Sequence, residues 1–263
     1  MSIKILTPIS HLFNDKYDGK KLASLSDELE ARERTCDLNF PNTTHYHIDF
    51  DVNIGLTNDQ IVFLENHVKP RENIHTLTFQ AARDCQEVEL RDNRYFPKSK
   101  PLDLNEQIEN TKKSINQIKN IVGSFRNIGI ENNNFYDTGA YGICTTPEFL
   151  TQACLKTDCH LLFDFAHAFV TCINRKLSFE DYKNELLNNI NCKQIHLCEP
   201  TLFSENGKEY AIDSHNLPSS VNTKECIDIL RNWKIQYLTI EYYKDVNGLI
   251  RYLPYLRDLL YKK

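Results

Sequence analysis

The residues best suited to chemistry in this sequence are carboxylates and imidazoles that end short apolar runs. Glu131, Asp164 and Glu241 each close such a run, and His196 follows Ile195 in another. A single acid at the end of a strand is most often a solvated turn residue, so the argument depends on several of them lying together. Carboxylate oxygens and imidazole nitrogens without thiolates are a ligand set that suits Fe, Mn or Zn.

Further histidines and acids show spacings that would add them to the same place. Asp213 and His215 are two residues apart, as are His45 and His47, and alternate residues of an extended chain point to the same face. His167 follows Asp164 by three residues. Acids and histidines that converge need a cation or a dense hydrogen-bond network to neutralise them, and so many candidates indicate more than one divalent metal.

The elements that position these residues follow from alternation along the chain. Short β-rich runs alternate with stretches of helical length, which is the pattern of successive β-α units. About eight strands match a (β/α)8 TIM barrel of about 250 residues, so we predict one α/β barrel domain over residues 1–263. Catalytic residues of such barrels lie at the C-terminal ends of the strands. The predicted strands are Ile3–Ile9, Cys36–Phe40, Thr44–Phe50, Ile74–Phe79, Asn127–Glu131, His160–Phe165, Lys193–Cys198 and Gln236–Glu241.

Helices are predicted where a capping residue precedes apolar residues at helical spacing. Two segments, Arg91–Leu102 and Glu199–Tyr210, are predicted to be loops, and long loops of a barrel usually belong to its working face. The predicted helices begin after Thr57, cover Leu104–Ile121, begin at Pro147 after Thr146, begin after Ser178, and cover Tyr252–Leu260 with Pro254 near the start.

Composition excludes several classes of protein. The chain has 263 residues, of which 41% are hydrophobic and 25% charged, a globular profile with a net charge of −5. The lack of a basic field argues against nucleic acid as a partner. With 8 glycines there is no G-x-G-x-x-G or Walker-type phosphate loop, and the 9 cysteines form no C-x-x-C pair. No long apolar segment begins the chain, so we expect a cytoplasmic protein with reduced thiols and no membrane contact.

The order of several short motifs resembles that of the multinuclear non-haem iron-dependent oxidases, the DUF692 family, within the xylose-isomerase-like barrels. The resemblance runs from about His47 to Glu241. The motifs are His47 followed by residues 49–55, Glu131-Asn132 with Tyr136, Leu161-Leu162-Phe163-Asp164, Gln194-Ile195-His196-Leu197 and Asp213-Ser214-His215-Asn216-Leu217-Pro218.

This resemblance implies a barrel that holds two or three irons, with Mn or Zn as substitutes. The irons would activate O₂ to oxidise a residue, often cysteine, of a ribosomally made precursor peptide that a companion protein usually presents. The resemblance further implies catalytic roles for Glu131, Asp213 and His215, and a bridging role for Glu131 or Glu241. The implied metal ligands are His47, Glu131, Asp164, His167, His196, Asp213, His215 and Glu241.

The sequence departs from the family pattern at two places. Asp164-Phe165-Ala166-His167 stands where the family commonly has Asp-x-Asn-Asn, so His167 is either a ligand or a residue that supports one. Leu77-Thr78-Phe79-Gln80 stands where the family commonly has Ser-Asp-His-Leu. His45 and His75 would lie toward the opposite, stability face of the barrel, where we expect them to be structural.

Two other functions are compatible with the same residues. One is a divalent-metal sugar isomerase, epimerase or hydrolase, because barrels of this kind hold one to three metals with similar ligands. The other is a degenerate barrel that acts as a binding protein, which would retain metal poorly. Metal content and oxygen consumption distinguish the three hypotheses.

Overall fold

Eight parallel strands close into one barrel. The computed structural model describes residues 2–205 and 207–261. Around the barrel the strands follow in chain order, and the circle closes where β1 pairs with both β2 and β8. The predicted TIM barrel is therefore confirmed. The barrel strands are β1 (Lys4–Pro8), β2 (Glu28–Arg32), β3 (Thr43–Asp51), β4 (Thr76–Gln80), β5 (Asn127–Glu131), β6 (His160–Asp164), β7 (Cys192–Leu197) and β8 (Tyr237–Ile240).

The second predicted strand, Cys36–Phe40, is wrong. The chain pairs over Glu28–Arg32 instead, a run of Glu-Leu-Glu-Ala-Arg whose residues have low strand propensity. Alternation explains why it still forms a strand. Leu29 and Ala31 pack into the hydrophobic core outside the barrel, while the charged residues on the other face form ion pairs: Lys4 with Glu28, and Arg32 with Glu30 and Glu241.

The interior of this barrel is polar over much of its height. Gln194 donates hydrogen bonds to Glu30 at 2.5 Å and to Thr239 at 2.8 Å, so that β2, β7 and β8 are tied together across the inside. TIM-barrel interiors are more usually filled by branched aliphatic side chains. Because each of these polar groups is buried, each needs a partner inside the barrel, and this requirement fixes the arrangement of the layer.

The helices surround the barrel, and those predicted after Thr57, Thr146 and Ser178 begin there. Thr57 and Gln60 form a capping box, Thr146 caps a helix with Pro147 at its first position, and the Ser178 side chain accepts from the amide of Asp181. In the described residues the helices are α1 (Lys16–Leu25), α2 (Asn58–Phe63, extended by a wider turn over Leu64–Val68), α3 (Leu104–Val122), α4 (Pro147–Thr157), α5 (Phe165–Arg175), α6 (Phe179–Asn189), α7 (Ser220–Asn232) and α8 (Val246–Tyr261).

The position of Pro254 in the last helix differs from the prediction. Proline is expected near a helix start because it lacks an amide donor and clashes with the preceding turn. The helix nevertheless begins at Val246 and contains Pro254 in its interior. Leu249, Leu253 and Leu256 are all buried against the barrel, and this packing outweighs the loss of one helical hydrogen bond.

Both segments predicted to be loops contain parts of antiparallel hairpins, although residues 98–102 of the first have no regular structure, as predicted. The first hairpin pairs Val88–Arg91 with Arg94–Pro97, and the second pairs Glu199–Glu205 with Lys208–Asn216. Asp92 and Asn93 have φ values of 48° and 57°, as a tight two-residue hairpin turn requires. Both hairpins follow the C-terminal ends of barrel strands, so they lie at the predicted working face.

Among the described helices, none is both long and apolar enough to cross a membrane.

All nine cysteines are free thiols, and eight of them are buried. They therefore pack mainly as small apolar side chains.

The structure predicts that a methyl group added at Gly129 would destabilise the protein. A Cβ at Gly129 would clash with Nε2 of His160, and that ring is 4% exposed and cannot swing into solvent. We expect Gly129→Ala to lower the free energy of unfolding by about 1–3 kcal/mol, measured by urea denaturation. In a His160→Ala background the same substitution should cost less. An equal cost in both backgrounds would show that the ring is not the cause.

Candidate metal centre

The C-terminal mouth of the barrel collects the predicted site residues from five strands, one helix and the second hairpin. Each acid or histidine on a barrel strand lies at or just beyond the strand's C-terminal half, so its side chain points into the mouth. Six of the eight residues line one cleft, while Asp164 and His196 are fully buried beneath it. The six are His47, Glu131, His167, Asp213, His215 and Glu241.

Glu131 at the end of β5 lies at the centre of the cluster. One of its oxygens is 3.5 Å from Nε2 of His47, and the other is 3.1 Å from Nδ1 of His196. The three side chains are almost completely buried, and each offers a ligand atom within 4.8 Å of the others. Two imidazoles and a carboxylate in this arrangement could hold one divalent ion.

A second group lies on the other side of Glu131. Asp164 ends β6 and His167 lies in the first turn of α5, and these two residues and Glu131 again offer ligand atoms within 4.8 Å of one another. His167 extends the group toward the second hairpin, since its Nε2 is 3.5 Å from Oδ2 of Asp213. Glu131 is thus the carboxylate that the two groups share.

The second hairpin brings Asp213 and His215 together, as their spacing predicted. Nε2 of His215 lies 3.4 Å from Oδ2 of Asp213 and 3.3 Å from Oε2 of Glu241. His215 has a φ of 44°, which is a strained conformation for a residue with a side chain and costs on the order of 1 kcal/mol or more. Cys198 also lies close, with Sγ 3.6 Å from Oδ1 of Asp213.

Sequence reasoning missed two charged residues of this mouth, because both lie on the unrecognised strand β2. Glu30 is fully buried and accepts from Nε2 of His196 at 3.1 Å. Arg32 donates to Glu30 at 2.6 Å and also pairs with Glu241. Glu30, His196 and Glu241 offer ligand atoms to one another, but Arg32 already supplies a cation to this third group.

Three buried ligand atoms make no hydrogen bond of good geometry: Oε2 of Glu131, Oδ2 of Asp164 and Nδ1 of His196. The last of these lies 3.1 Å from a carboxylate oxygen of Glu131 and of Glu241. Buried polar atoms are rarely left without a partner, because the cost is about 1–3 kcal/mol each and more for charged groups. These atoms belong to the two groups that share Glu131. The donor set and the unpaired atoms therefore fit divalent ions.

The acids of the cluster differ in what compensates their charge. Burial raises the pKa of Asp164 to about 7; His167 opposes this shift, while the neighbouring carboxylates of Glu131 and Glu241 add to it. For Glu241 burial acts in the same direction, but the Arg32 guanidinium and His196 together hold its pKa well below the usual range. Beside Asp164 lie the imidazoles of His167 and His196, each 3.9 Å away, and a divalent ion bound there would lower the pKa of Asp164 further.

Neighbouring groups orient two of the imidazoles. The Thr78 hydroxyl lies 2.9 Å from Nδ1 of His47, which directs Nε2 toward Glu131. Nδ1 of His167 lies 2.9 Å from the carbonyl oxygen of Asn132, which directs its Nε2 toward Asp213. Such contacts on the second ring nitrogen are typical of histidines that bind metal.

The cleft above the cluster has a volume of about 1030 Å³. Tyr136 and Tyr141 line one side, with their rings 5.5 Å apart, and Tyr95 of the first hairpin stacks on Tyr141 at 6.0 Å. Arg34 also lines the cleft. A cleft of this size is at the upper end of the range for small ligands and could also admit an extended peptide segment.

Structure comparison finds the same barrel in proteins of low sequence identity. An endonuclease IV from Thermus thermophilus matches with a TM-score of 0.60 at 10% identity, covering 99% of this chain and 100% of that chain. A D-psicose 3-epimerase, solved in the presence of D-fructose, matches with a TM-score of 0.60 at 14% identity, with 98% and 99% covered. A xylose isomerase domain protein from Alicyclobacillus acidocaldarius subsp. acidocaldarius gives 0.59 at 8% identity, with 99% and 98% covered.

At these identities the likeness shows the fold alone, a (β/α)8 TIM barrel. Comparison with curated protein sequences finds no match. A protein-family model does match the chain, over residues 94–236, which is more than half of its length. The matched residues contain Glu131, Asp164, His167, His196, Asp213 and His215, whereas His47 and Glu241 lie outside them. The chain therefore belongs to the family of RiPP precursor modification enzymes MbnB/TglH/ChrH, which is the resemblance that the sequence motifs indicated.

Proposed function

We propose that this protein is an iron-dependent oxidase that uses O₂ to modify a residue, most simply a cysteine, of a ribosomally made precursor peptide. The observation that carries the proposal is the set of unpaired, buried ligand atoms around Glu131, at the bottom of a cleft large enough for a peptide. Membership of a family of precursor-peptide modification enzymes supports a peptide substrate.

Two ions would be held at the mouth, with Glu131 as the bridge. His47 and His196 would hold one, while Asp164, His167 and Asp213 would hold the other. Glu241 is less suited to bridging, because Arg32 already pairs with one of its oxygens and Tyr243 donates to the same oxygen at 3.3 Å. Since Arg32 neutralises the third group, we propose two ions at this mouth and not three. Bound iron would supply the redox chemistry and the activation of O₂.

The protein's own residues would bind the peptide, orient it and exclude water. The cleft is lined both by tyrosines and by the buried carboxylates, so one side chain of a bound peptide could reach the carboxylates while its backbone lies against the tyrosines. His215 is the most exposed of the proposed ligands, with 34% of its side chain accessible, and marks where a substrate would approach. The ring centroids of Tyr243 and His215 are 5.1 Å apart, so Tyr243 limits the movement of the imidazole.

The chain's own thiol near the centre would not compete with a substrate thiolate. Burial, together with the charges of Asp213 and Asp164, holds the pKa of Cys198 well above its usual value. Cys198 thus stays protonated and is a poor ligand.

A companion protein that presents the peptide also belongs to the proposal. The two hairpins beside the cleft leave Leu90 and Leu202 more than half exposed, and these apolar side chains are a surface on which such a partner would pack.

Turnover of a peptide tests the proposed function. The substrate would be a short cysteine-containing peptide encoded beside the gene, added with any companion protein encoded there. We expect iron-loaded protein to change the peptide's mass while consuming O₂, and Glu131→Gln to lower the rate by more than about 100-fold, because it removes the shared carboxylate. Mass spectrometry and an oxygen electrode measure both.

Glu109→Gln, at an exposed site on α3, is the matched control and should keep full activity. A peptide with serine in place of cysteine should remain unmodified. Modification that proceeds without O₂, or with zinc in place of iron, would contradict the proposal and favour a hydrolase or an isomerase.

Asp164 provides a prediction about stability without metal. Asp164→Asn removes a carboxyl whose pKa burial and neighbouring acids raise to about 7. Asparagine can still cap α5. We expect chelator-treated Asp164→Asn to melt about 2–4 °C above the wild type, the shift that about 1 kcal/mol gives, and iron to stabilise the variant less than the wild type. Asp228→Asn, at an exposed site within α7, is the control. If the metal-free variant melted below the metal-free wild type, repulsion among the buried acids would not be what destabilises the metal-free protein.

Thr78 provides a prediction about orientation. Thr78→Val keeps the side-chain shape but removes the hydroxyl 2.9 Å from Nδ1 of His47. We expect iron affinity to fall by about 10–100-fold, measured by competition with a chromophoric chelator. Thr7→Val removes another buried strand hydroxyl, which pairs with Ser26, and should leave the affinity unchanged. Equal affinity of Thr78→Val and wild type would show that this contact does not support a ligand.

A further inference from the structure

A second cluster of metal-binding residue types lies at the opposite, N-terminal end of the barrel. Glu28 begins β2, His45 lies near the start of β3, and His75 immediately precedes β4. Oε2 of Glu28 is 3.4 Å from Nδ1 of His45 and 3.9 Å from Nε2 of His75. The two imidazole rings are 5.1 Å apart and nearly perpendicular, at 76°. The three side chains converge on one point, although they come from three strands.

Their chemistry is that of a transition-metal site. Each of the three residues offers a ligand atom, and these atoms lie within 4.8 Å of one another. Two imidazole nitrogens and one carboxylate oxygen suit Zn²⁺, Fe²⁺ and similar divalent ions, and three protein ligands leave a position for water. The set lies on the far side of the Gln194 layer, separate from the mouth.

An independent observation is that the protein satisfies only one nitrogen of His45. The residue is 1% exposed; Nδ1 lies 3.0 Å from the Thr44 hydroxyl and 3.4 Å from Glu28, whereas Nε2 has no hydrogen-bond partner. The ring lies between Glu28, His75 and Tyr237, whose ring centroid is 4.4 Å away, so the unpartnered nitrogen remains inside this end of the barrel. A buried imidazole nitrogen without a partner is costly in a folded protein.

The charges at this end leave one carboxylate oxygen available. Lys4 pairs with Oε1 of Glu28, whereas Oε2 faces both imidazoles and accepts from the Thr44 hydroxyl. Burial alone would raise the pKa of Glu28, but His45, Lys4 and Thr44 together lower it to about 2, so it is an anion at neutral pH. Burial and the neighbouring His45 lower the pKa of His75, which keeps its ring neutral. Anionic carboxylate and neutral imidazole are the forms that bind metal.

A route to solvent exists on the side of His75. Its side chain is 41% exposed, whereas those of Glu28 and His45 are 9% and 1% exposed. An ion could therefore enter past His75 and reach the two buried ligands. The Thr76 hydroxyl lies 3.0 Å from Nδ1 of His75, which leaves its Nε2 directed at Glu28.

We propose that Glu28, His45 and His75 form a second divalent transition-metal site, which joins the starts of β2, β3 and β4 at the N-terminal end of the barrel. Its role is structural, since this face of a TIM barrel contributes to stability and not to catalysis. The proposal does not depend on the oxidase function, because no residue is shared between the two ends.

Metal counting with Co²⁺ alone tests this site. Chelator-stripped wild type, His75→Ala and Glu28→Gln would be dialysed against Co²⁺ and analysed for ions bound per chain, with the visible d–d absorption recorded. We expect each variant to bind one ion fewer than the wild type and to lose part of the Co²⁺-induced rise in melting temperature. His75 is partly exposed, so His75→Ala should fold, and far-UV circular dichroism verifies this.

His67→Ala is the matched control, because His67 stacks on Phe63 at 4.9 Å outside the cluster, and it should bind as many ions as the wild type. Iron-loaded His75→Ala should retain peptide oxidation. If neither protein oxidised the peptide, the proposed function would be wrong, but His75→Ala should still bind one Co²⁺ ion fewer than the wild type. Equal Co²⁺ stoichiometry for folded His75→Ala and wild type would overturn the proposal.

Discussion

The burial of more carboxylates than fixed cations at the barrel mouth is the constraint on which the site depends. Glu30, Glu131, Asp164 and Glu241 are all at most 3% exposed, and charges in such an environment must be compensated. Arg32 compensates Glu30 and Glu241. The two acids without a fixed cation are those with unpaired oxygens, so the position of one arginine decides where added cations would bind.

Strand alternation lets the same strands serve both ends of the barrel. On β2, Glu28, Glu30 and Arg32 face the interior at successive heights, and on β3 His45 and His47 do the same, with Glu30 opposite His45 and Arg32 opposite His47. Hydrogen bonds from Gln194 form a layer between the two ends. The polar interior is therefore continuous in structure, although the candidate ion sites at its two ends share no residue.

The sequence predicted the mouth better than the strands that build it. Glu131, Asp164, His196 and Glu241 could be placed together because the C-terminal ends of parallel strands must meet at one face. Strand β2 was missed because charged residues that face inward look like a solvated segment when the interior is assumed to be apolar. The same error concealed Glu30 and Arg32, although both are among the closest neighbours of His196 and Glu241.

Two other differences between prediction and structure have local causes. The sequence predicts loops where the hairpins form, because turn residues such as Asp92-Asn93 are easy to recognise, whereas the short polar strands beside them lack a clear strand pattern. His45 and His75 were correctly placed at the N-terminal face, but the missing strand also concealed Glu28, the carboxylate that both approach. Since the barrel is shared by proteins of different activities, specificity must come from what is added to it. Here that is the pair of hairpins, which supply Tyr95, Asp213 and His215 to the cleft.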